Sequence, residues 1–243
     1  GIPSSKEYIY TAGGIHTASL HQHVLSPGAP TEGIAKAFDK GIIYDPDKNR
    51  TQNYKIKPTD GNTIQFWLKK DAFTTEETDR EVILDLWNGN TVPAGVDSTE
   101  IDHTYGRLTL ELSGGLNNST PNSVVYLTLQ SGAYGIVAQP ICDSTYNAAS
   151  IANGEWQHHT VTMRSSDSDL TVKYFINGLL NKKTVFNTSQ VIGEIPGKID
   201  GYIGALSTKP SGSTYASATM LGAGKLSGSM DDFRFWKKDL LTP

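Results

Sequence analysis

The chain has almost no cysteine, no long apolar run and no block of basic residues. The single Cys142 cannot form an intramolecular disulfide, so the fold does not depend on one. No apolar run approaches the roughly 18 residues of a membrane-spanning helix, which excludes such a helix. No run of Lys or Arg exceeds two residues and the net charge is −4, so the footprint of a nucleic-acid-binding protein is missing.

The composition is that of a globular domain. The chain has 243 residues, of which 37% are apolar and 19% charged. This length suits a single all-β sandwich whose core is large enough to be stable without disulfides or bound metals. It begins at Gly1 without a methionine or an apolar leader. We therefore expect a processed product or an excised domain of a longer polypeptide.

Apolar residues recur at every second position, which is typical of strands with one buried face. In residues 62–69, Ile64, Phe66 and Leu68 alternate with polar residues and a tryptophan. Similar short segments, separated by turns rich in Gly, Asn and Ser, predict strands over residues 82–87, 105–112, 124–129, 155–163, 170–176, 201–204 and the last apolar stretch. The fold class predicted is an all-β antiparallel sandwich of the jelly-roll type. Residues 1–34 are an N-terminal arm or extra strands, with a short strand at Tyr8–Tyr10.

Five segments along the chain carry recognisable patterns: a Phe-Asp turn at Phe38–Gly41, a strand ending in tryptophan at Ile64–Trp67, Trp156–Thr162, the hairpin start Tyr174–Gly178, and the closing strand Gly228–Trp236. In this order they resemble the laminin-G-like domain of the concanavalin A-like group, a pentraxin-type jelly roll. The resemblance covers residues 35–243. It implies the sandwich fold, with His158 hydrogen-bonded inside it, and binding of a glycan or a protein. Because this fold hosts lectins, adhesion modules, hydrolases and spacers, function depends on the site.

Four residues are candidates for ligand binding. Trp87 adjoins the Asn88–Asn90 turn, and sugar rings stack on exposed aromatic rings while amide side chains bond their hydroxyls. The predicted ligand-binding residues are Trp87, Asn88, Tyr105 and Tyr134. A role in capping turns inside the core is the competing interpretation. The other three tryptophans lie within strand motifs and are expected to be structural.

Oxygen-bearing residues form two candidate cation sites. Asp45, Asp47 and Asn49 place donors at alternating positions, as in the first half of a calcium loop, but the glycine and the bidentate Glu of an EF-hand are missing. Asp231 is the second candidate, because alternation places it on the same face as Phe233, next to a turn. A buried carboxylate there would bind a cation or accept backbone amides. Calcium is the candidate cofactor at these sites.

A third pattern concerns catalysis. Glu77, Asp79 and Glu81 alternate, and retaining glycosidases hold two carboxyl groups about 5–5.5 Å apart. The residues between them are Thr78 and Arg80 rather than aliphatic ones, so an acidic connecting loop is the favoured interpretation. His21 and His23 have a tight spacing, but no carboxylate or Cys lies close in sequence, which disfavours zinc.

These observations predict a non-enzymatic recognition or adhesion module with a glycan or protein partner. Carbohydrate is the leading ligand, and the expected location is extracellular, on a cell or virion surface. The alternative is a structural viral or phage domain, in a surface, tail or capsid-decorating position, that binds protein or assembles as an oligomer. A glycoside hydrolase is the third possibility, and it depends on the three alternating carboxylates alone.

Overall fold

Two antiparallel sheets pack against each other, which confirms the predicted sandwich. The computed structural model describes residues 9–11, 54, 56–73, 80–88, 105–114, 123–195, 199–206 and 224–240. Eleven strands and one short helix occur in these ranges: β1 (Ile9–Thr11), β2 (Asn62–Lys69), β3 (Arg80–Trp87), β4 (Gly106–Ser113), β5 (Val125–Ser131), β6 (Tyr134–Pro140), α1 (Ala148–Ile151), β7 (Trp156–Ser166), β8 (Asp169–Ile176), β9 (Leu179–Asn187), β10 (Asp200–Ile203) and β11 (Ser229–Trp236). The one described helix is too short to cross a membrane.

The strand order shows how the chain passes between the layers. The six-stranded sheet has the order β1-β10-β3-β4-β5-β6, and the five-stranded sheet has the order β11-β2-β7-β8-β9. Strands distant in sequence are therefore neighbours in space, and β2 lies between β7 and β11. This arrangement brings the motif tryptophans of three separate segments onto one sheet.

Strand β2 illustrates why the pattern of the sequence produces this fold. Ile64, Phe66 and Leu68 are buried in the core between the sheets, whereas Gln65 and Trp67 point away from it. On the opposing sheet the core is lined by apolar residues of β3, β4 and β5, among them Leu86, Leu110 and Leu127. Burying side chains of this size stabilises the fold by about 1.5–3 kcal/mol each.

The N-terminal segment contributes a strand to the sandwich. Residues 9–11 form β1, which pairs with β10 at one edge of the six-stranded sheet. This agrees with the strand predicted at Tyr8–Tyr10. Of the predicted arm, residues 1–34, only this strand lies within the described residues. The Phe38–Gly41 motif also lies outside them.

The last strand corrects one inference from the alternation. Its register against β2 shifts between Asp231 and Arg234, and Asp232 adopts a φ of 47°. This bulge inserts an extra residue, so Met230 and Phe233 pack toward the core while Asp231 and Asp232 both point to solvent. The expectation that Asp231 shares the apolar face of Phe233 is therefore wrong.

Candidate functional site

Three tryptophans lie on the outer face of the five-stranded sheet. Trp67 on β2 is 38% exposed, Trp156 at the start of β7 is 45% exposed, and Trp236 at the end of β11 is 38% exposed. Each occupies the outward position of its strand rather than the core, and a structural role for them stays a prediction. Large aromatic side chains are usually buried, so several of them exposed on one sheet face indicate a candidate binding surface.

The strand register brings two of these rings together. Trp67 is paired with His158 on β7, and Trp156 is paired with Lys69 on β2, so the two tryptophans are diagonal neighbours. The rings of Trp67 and His158 have centroids 5.2 Å apart. Both tryptophans, His158 and Asn177 line one shallow depression that is open to solvent.

A turn at the end of β8 positions the polar side of this depression. Asn177 and Gly178 have φ values of 50° and 81°, as a two-residue hairpin turn with positive φ at both positions requires. The backbone N–H of Asn177 donates to the carbonyl of His158 (2.8 Å), and the His158 N–H donates to Oδ1 of Asn177 (2.8 Å). These two bonds fix Asn177 beside the imidazole.

The third tryptophan extends the surface along the sheet. Trp236 is paired with Thr63, and its Nε1–H donates to Oε1 of Gln65 (2.8 Å), which holds the indole against β2. The segment after β11 borders this end, because the hydroxyl of Thr63 donates to the carbonyl of Lys238 (2.9 Å). We call Trp67, Trp156, Trp236, Gln65 and His158 the tryptophan surface.

The tryptophan surface combines apolar rings with polar side chains that carry no carboxylate. Indole faces pack against the C–H faces of sugar rings, and imidazole, amide and hydroxyl groups bond sugar hydroxyls. Nothing in this set is a strong nucleophile or a pair of facing carboxyl groups. Exposed rings beside polar side chains are an arrangement suited to binding a ligand.

The four ligand residues predicted from the sequence lie at one end of the six-stranded sheet. Trp87 ends β3, and its indole packs at 5.4 Å from the guanidinium carbon of Arg107. Asn88 is buried and its Oδ1 accepts from the N–H of Gly106 (3.1 Å), while Tyr105 is only 2% exposed. Tyr134, the first residue of β6, is half-buried. The bond of Asn88 matches the turn-capping interpretation for that residue, and a ligand role for all four stays a prediction.

A buried ion pair lies next to this group, on the outer side of the six-stranded sheet. Arg107 donates from Nε to Oδ1 of Asp85 (2.8 Å) and from Nη2 to Oδ2 (2.7 Å), and both side chains are fully buried. The hydroxyl of Thr109 also donates to Oδ1 (2.9 Å). Burial, the largest single effect, lowers the pKa of Arg107, but the Asp85 carboxylate and Tyr105 together outweigh burial and raise that pKa. The carboxylate of Asp85 thus has three donors within the sheet.

The candidate cation and catalytic residues are only partly within the described ranges. Asp45, Asp47 and Asn49 lie outside them, as do Glu77 and Asp79. Asp231 is exposed and its Oδ1 accepts from the N–H of Asp232 (2.7 Å). Within the described ranges no group of three or more His, Cys, Asp or Glu side chains could hold a metal ion. A calcium site stays a prediction.

Glu81, the third carboxylate of the alternating pattern, forms a buried salt bridge. Its Oε2 accepts from Nζ of Lys70 (2.6 Å) and from the N–H of Ser227 (2.9 Å), and both side chains are buried. Lys70 also donates to the carbonyl of Ser227 (2.8 Å). Desolvation lowers the pKa of Lys70, although Glu81 opposes that effect. These bonds join β2, β3 and the segment before β11.

The expectation that His158 is hydrogen-bonded inside the sandwich is wrong, because its neighbour occupies that position. His159, not His158, points into the sandwich: it is fully buried, stacks on Phe66 with ring centroids 5.1 Å apart, and its Nδ1 bonds the hydroxyl of Tyr174 (2.7 Å). Its Nε2 has no hydrogen-bond partner among the described residues. The hydroxyl of Tyr146, which packs nearby, donates to Oε1 of Gln157 (2.5 Å). Desolvation lowers the pKa of His159 from 6.5 to about 3.

This histidine predicts a loss of stability in acid. Since its folded pKa lies below its unfolded value, the unfolded chain takes up the proton first, and stability present above about pH 6.5 is lost as pH falls toward 3. The difference between pH 7 and pH 5 is expected to be about 2 kcal/mol. Urea unfolding of wild type and of His159→Gln at both pH values measures it. His158→Gln is the matched control; an equal acid loss in wild type and His159→Gln contradicts the prediction.

Comparisons with known proteins concern the fold. No family model matches the chain, and no curated protein matches it. Similar solved structures include domains LG4-5 of the mouse laminin alpha1 chain, at 10% identity and a TM-score of 0.41, where the match covers 74% of this chain and 36% of the laminin fragment. They also include the Ruminococcus gnavus IT-sialidase CBM40 bound to alpha2,6 sialyllactose, at 16% identity and a TM-score of 0.42, covering 97% and 93%.

An enzyme is among the similar structures as well. The alginate lyase PA1167 from Pseudomonas aeruginosa has 13% identity and a TM-score of 0.37, with 76% of this chain and 68% of the lyase covered. A laminin-G-like domain is thus found among the similar structures, as the sequence motifs predicted. At these identities and TM-scores the likeness says nothing about function, and the sandwich fold of this chain rests on its own two antiparallel sheets.

Proposed function

We propose that this chain is a non-catalytic recognition module that binds carbohydrate through the tryptophan surface. The observation that carries the proposal is the outward placement of three tryptophans on one sheet face, two of them lining a depression with His158 and Asn177. Keeping such rings in water costs free energy that a monomeric domain avoids unless a ligand covers them. A glycan supplies both the apolar faces and the hydroxyls that these residues match.

The proposal includes an extracellular location and calcium as an accessory ion. We place the module outside the cell, on a cell or virion surface, where glycan ligands are displayed. Calcium held by Asp45, Asp47, Asn49 or Asp231 is proposed as an accessory and not as the core of the tryptophan surface, which contains no carboxylate. Removal of the ion is therefore expected to leave binding intact unless a loop site supports the surface.

A glycan array with and without EDTA tests this function. We expect selective binding above background in both buffers. Loss of binding only in EDTA would assign calcium a direct role in binding, and unchanged binding is the result expected for an accessory ion. If no glycan is bound in either buffer, the carbohydrate proposal fails.

The alternative, a structural domain that binds protein, is favoured by a different observation. Leu179 and Leu180 are exposed at the tip of the β8–β9 hairpin, beyond the tryptophan surface. Light scattering of wild type and of a Leu179→Ser, Leu180→Ser double variant tests it. A larger assembly in wild type that dissociates in the variant supports the alternative, and monomers in both samples count against it.

A further inference from the structure

We infer that the ligand of the tryptophan surface is a linear, uncharged oligosaccharide that lies flat along β2 and extends from Trp156 to Trp236. This inference rests on the proposed function and adds the length, shape and charge of the ligand. It excludes a single sugar, a chain end held in a closed pocket, and a polyanionic glycan.

The spacing of the rings sets the length. Trp67 is on β2, and Trp236 is paired with Thr63, four residues away on the same strand. At about 3.3 Å per residue, these two positions are about 13 Å apart along the sheet. Trp156 is paired with Lys69, two residues farther in the opposite direction, so the outer tryptophans are about 20 Å apart along the sheet. One sugar ring cannot contact both ends, whereas a chain of several rings can.

The shape of the surface favours an internal stretch of a glycan. The depression between Trp67 and Trp156 is shallow and open rather than enclosed. Between Trp67 and Trp236 lies Gln65, which holds the Trp236 indole through its side-chain oxygen. A flat path with rings at both ends and an amide between them matches the alternating C–H faces and hydroxyl edges of a linear chain.

Most of the charges along this path cancel. Beside Trp67 and Gln65, Lys69 on β2 and Arg234 on β11 are matched by Asp231 and Asp232, both also on β11, and Arg234 bonds Asp232 at 2.8 Å; Lys238, after β11, is an exposed cation at the Trp236 end. A polyanionic ligand would be repelled by the two carboxylates as much as it is attracted by the two cations. Lys173 and Lys183 do lie opposite each other, but on β8 and β9, at the far side of the sheet from Trp236. An uncharged chain is therefore the ligand that this path fits.

Titration calorimetry with a length series tests the inference. The probes are cello- and mannooligosaccharides of two to six residues, with oligogalacturonides as the acidic series. We expect affinity to rise at least tenfold between the dimer and the hexamer in a neutral series, and to be at least tenfold weaker for the acidic hexamer. Trp236→Ala is expected to remove the gain in affinity with length.

Two further variants keep the outcome decisive. Gln65→Leu removes the bond that holds Trp236 without removing a ring, and it should reduce the gain with length in the same direction. Val185→Ala, on β9 of the same sheet, is the control and should change nothing. Equal affinity at all lengths, no effect of Trp236→Ala, or preference for the acidic series overturns this inference, while the proposed function stands as long as Trp67→Ala weakens binding at least tenfold. Binding of no glycan on the array overturns the function itself.

Discussion

Replacing Trp67 and Trp156 together by alanine is expected to weaken glycan binding by two to three orders of magnitude. Aromatic residues at the centre of an interface cost about 2 kcal/mol or more each when truncated, so two of them lining one depression account for roughly a hundredfold to a thousandfold. Affinity for the best glycan from the array, measured by calorimetry, is the readout. The free energy of unfolding should change little, because substitutions of side chains on the outer face of a sheet leave the core intact.

The control for this experiment is a variant at one of the ligand-binding residues predicted from the sequence. Tyr134→Ala alters the end of the six-stranded sheet without touching the tryptophan surface. We expect the Tyr134 variant to bind as wild type does. If it loses binding while the double tryptophan variant keeps it, the ligand is held by the end of the six-stranded sheet, and our placement of the site is wrong.

Asp85→Ala is expected to destabilise the fold by about 3–5 kcal/mol, the largest stability effect that we predict. The change leaves the Arg107 guanidinium fully buried without its bidentate partner. Arginine cannot escape this cost by losing its proton, since its pKa lies far above the accessible range. Urea unfolding followed by circular dichroism gives the difference in free energy of unfolding.

An exposed ion pair on the same molecule provides the matched control. Arg234 and Asp232 are bonded at 2.8 Å, but both are about half exposed, so Asp232→Ala should cost less than about 1 kcal/mol. The double variant Asp85→Leu, Arg107→Met should recover much of the stability lost in Asp85→Ala, because it removes the buried charge as well. Equal losses in Asp85→Ala and Asp232→Ala would refute the argument.

Strands with a regular alternation could be predicted from the sequence. The predicted bounds of β2, 62–69, are those of the structure, and β8 was predicted from Leu170 where it begins at Asp169. Two strands were missed. β6 contains Gly135 and Ala138 with positive φ, and β9 is an edge strand with exposed leucines, so neither shows a clean two-residue alternation. Their pairing partners, not their own sequences, make them strands.

The candidate site was harder to predict than the fold. The alternation did place Trp67 opposite the core residues of β2, and this was the available signal for an exposed ring. It could not show that Trp156 and Trp236 lie on the same sheet, because β2, β7 and β11 are far apart in the chain. For the same reason, the sequence did not separate His158, which lines the depression, from the buried His159 beside it.

The amino-acid sequence alone determined the class of the fold, because an apolar residue at every second position leaves a strand only one face to bury. It also determined that no disulfide supports the sandwich. Only the tertiary structure decided which outward residues become neighbours, since strand order and register are set by packing between distant segments. A one-residue bulge after Asp231 moved that carboxylate from the core side to solvent, and the pairing of β2 with β7 and β11 assembled the tryptophan surface.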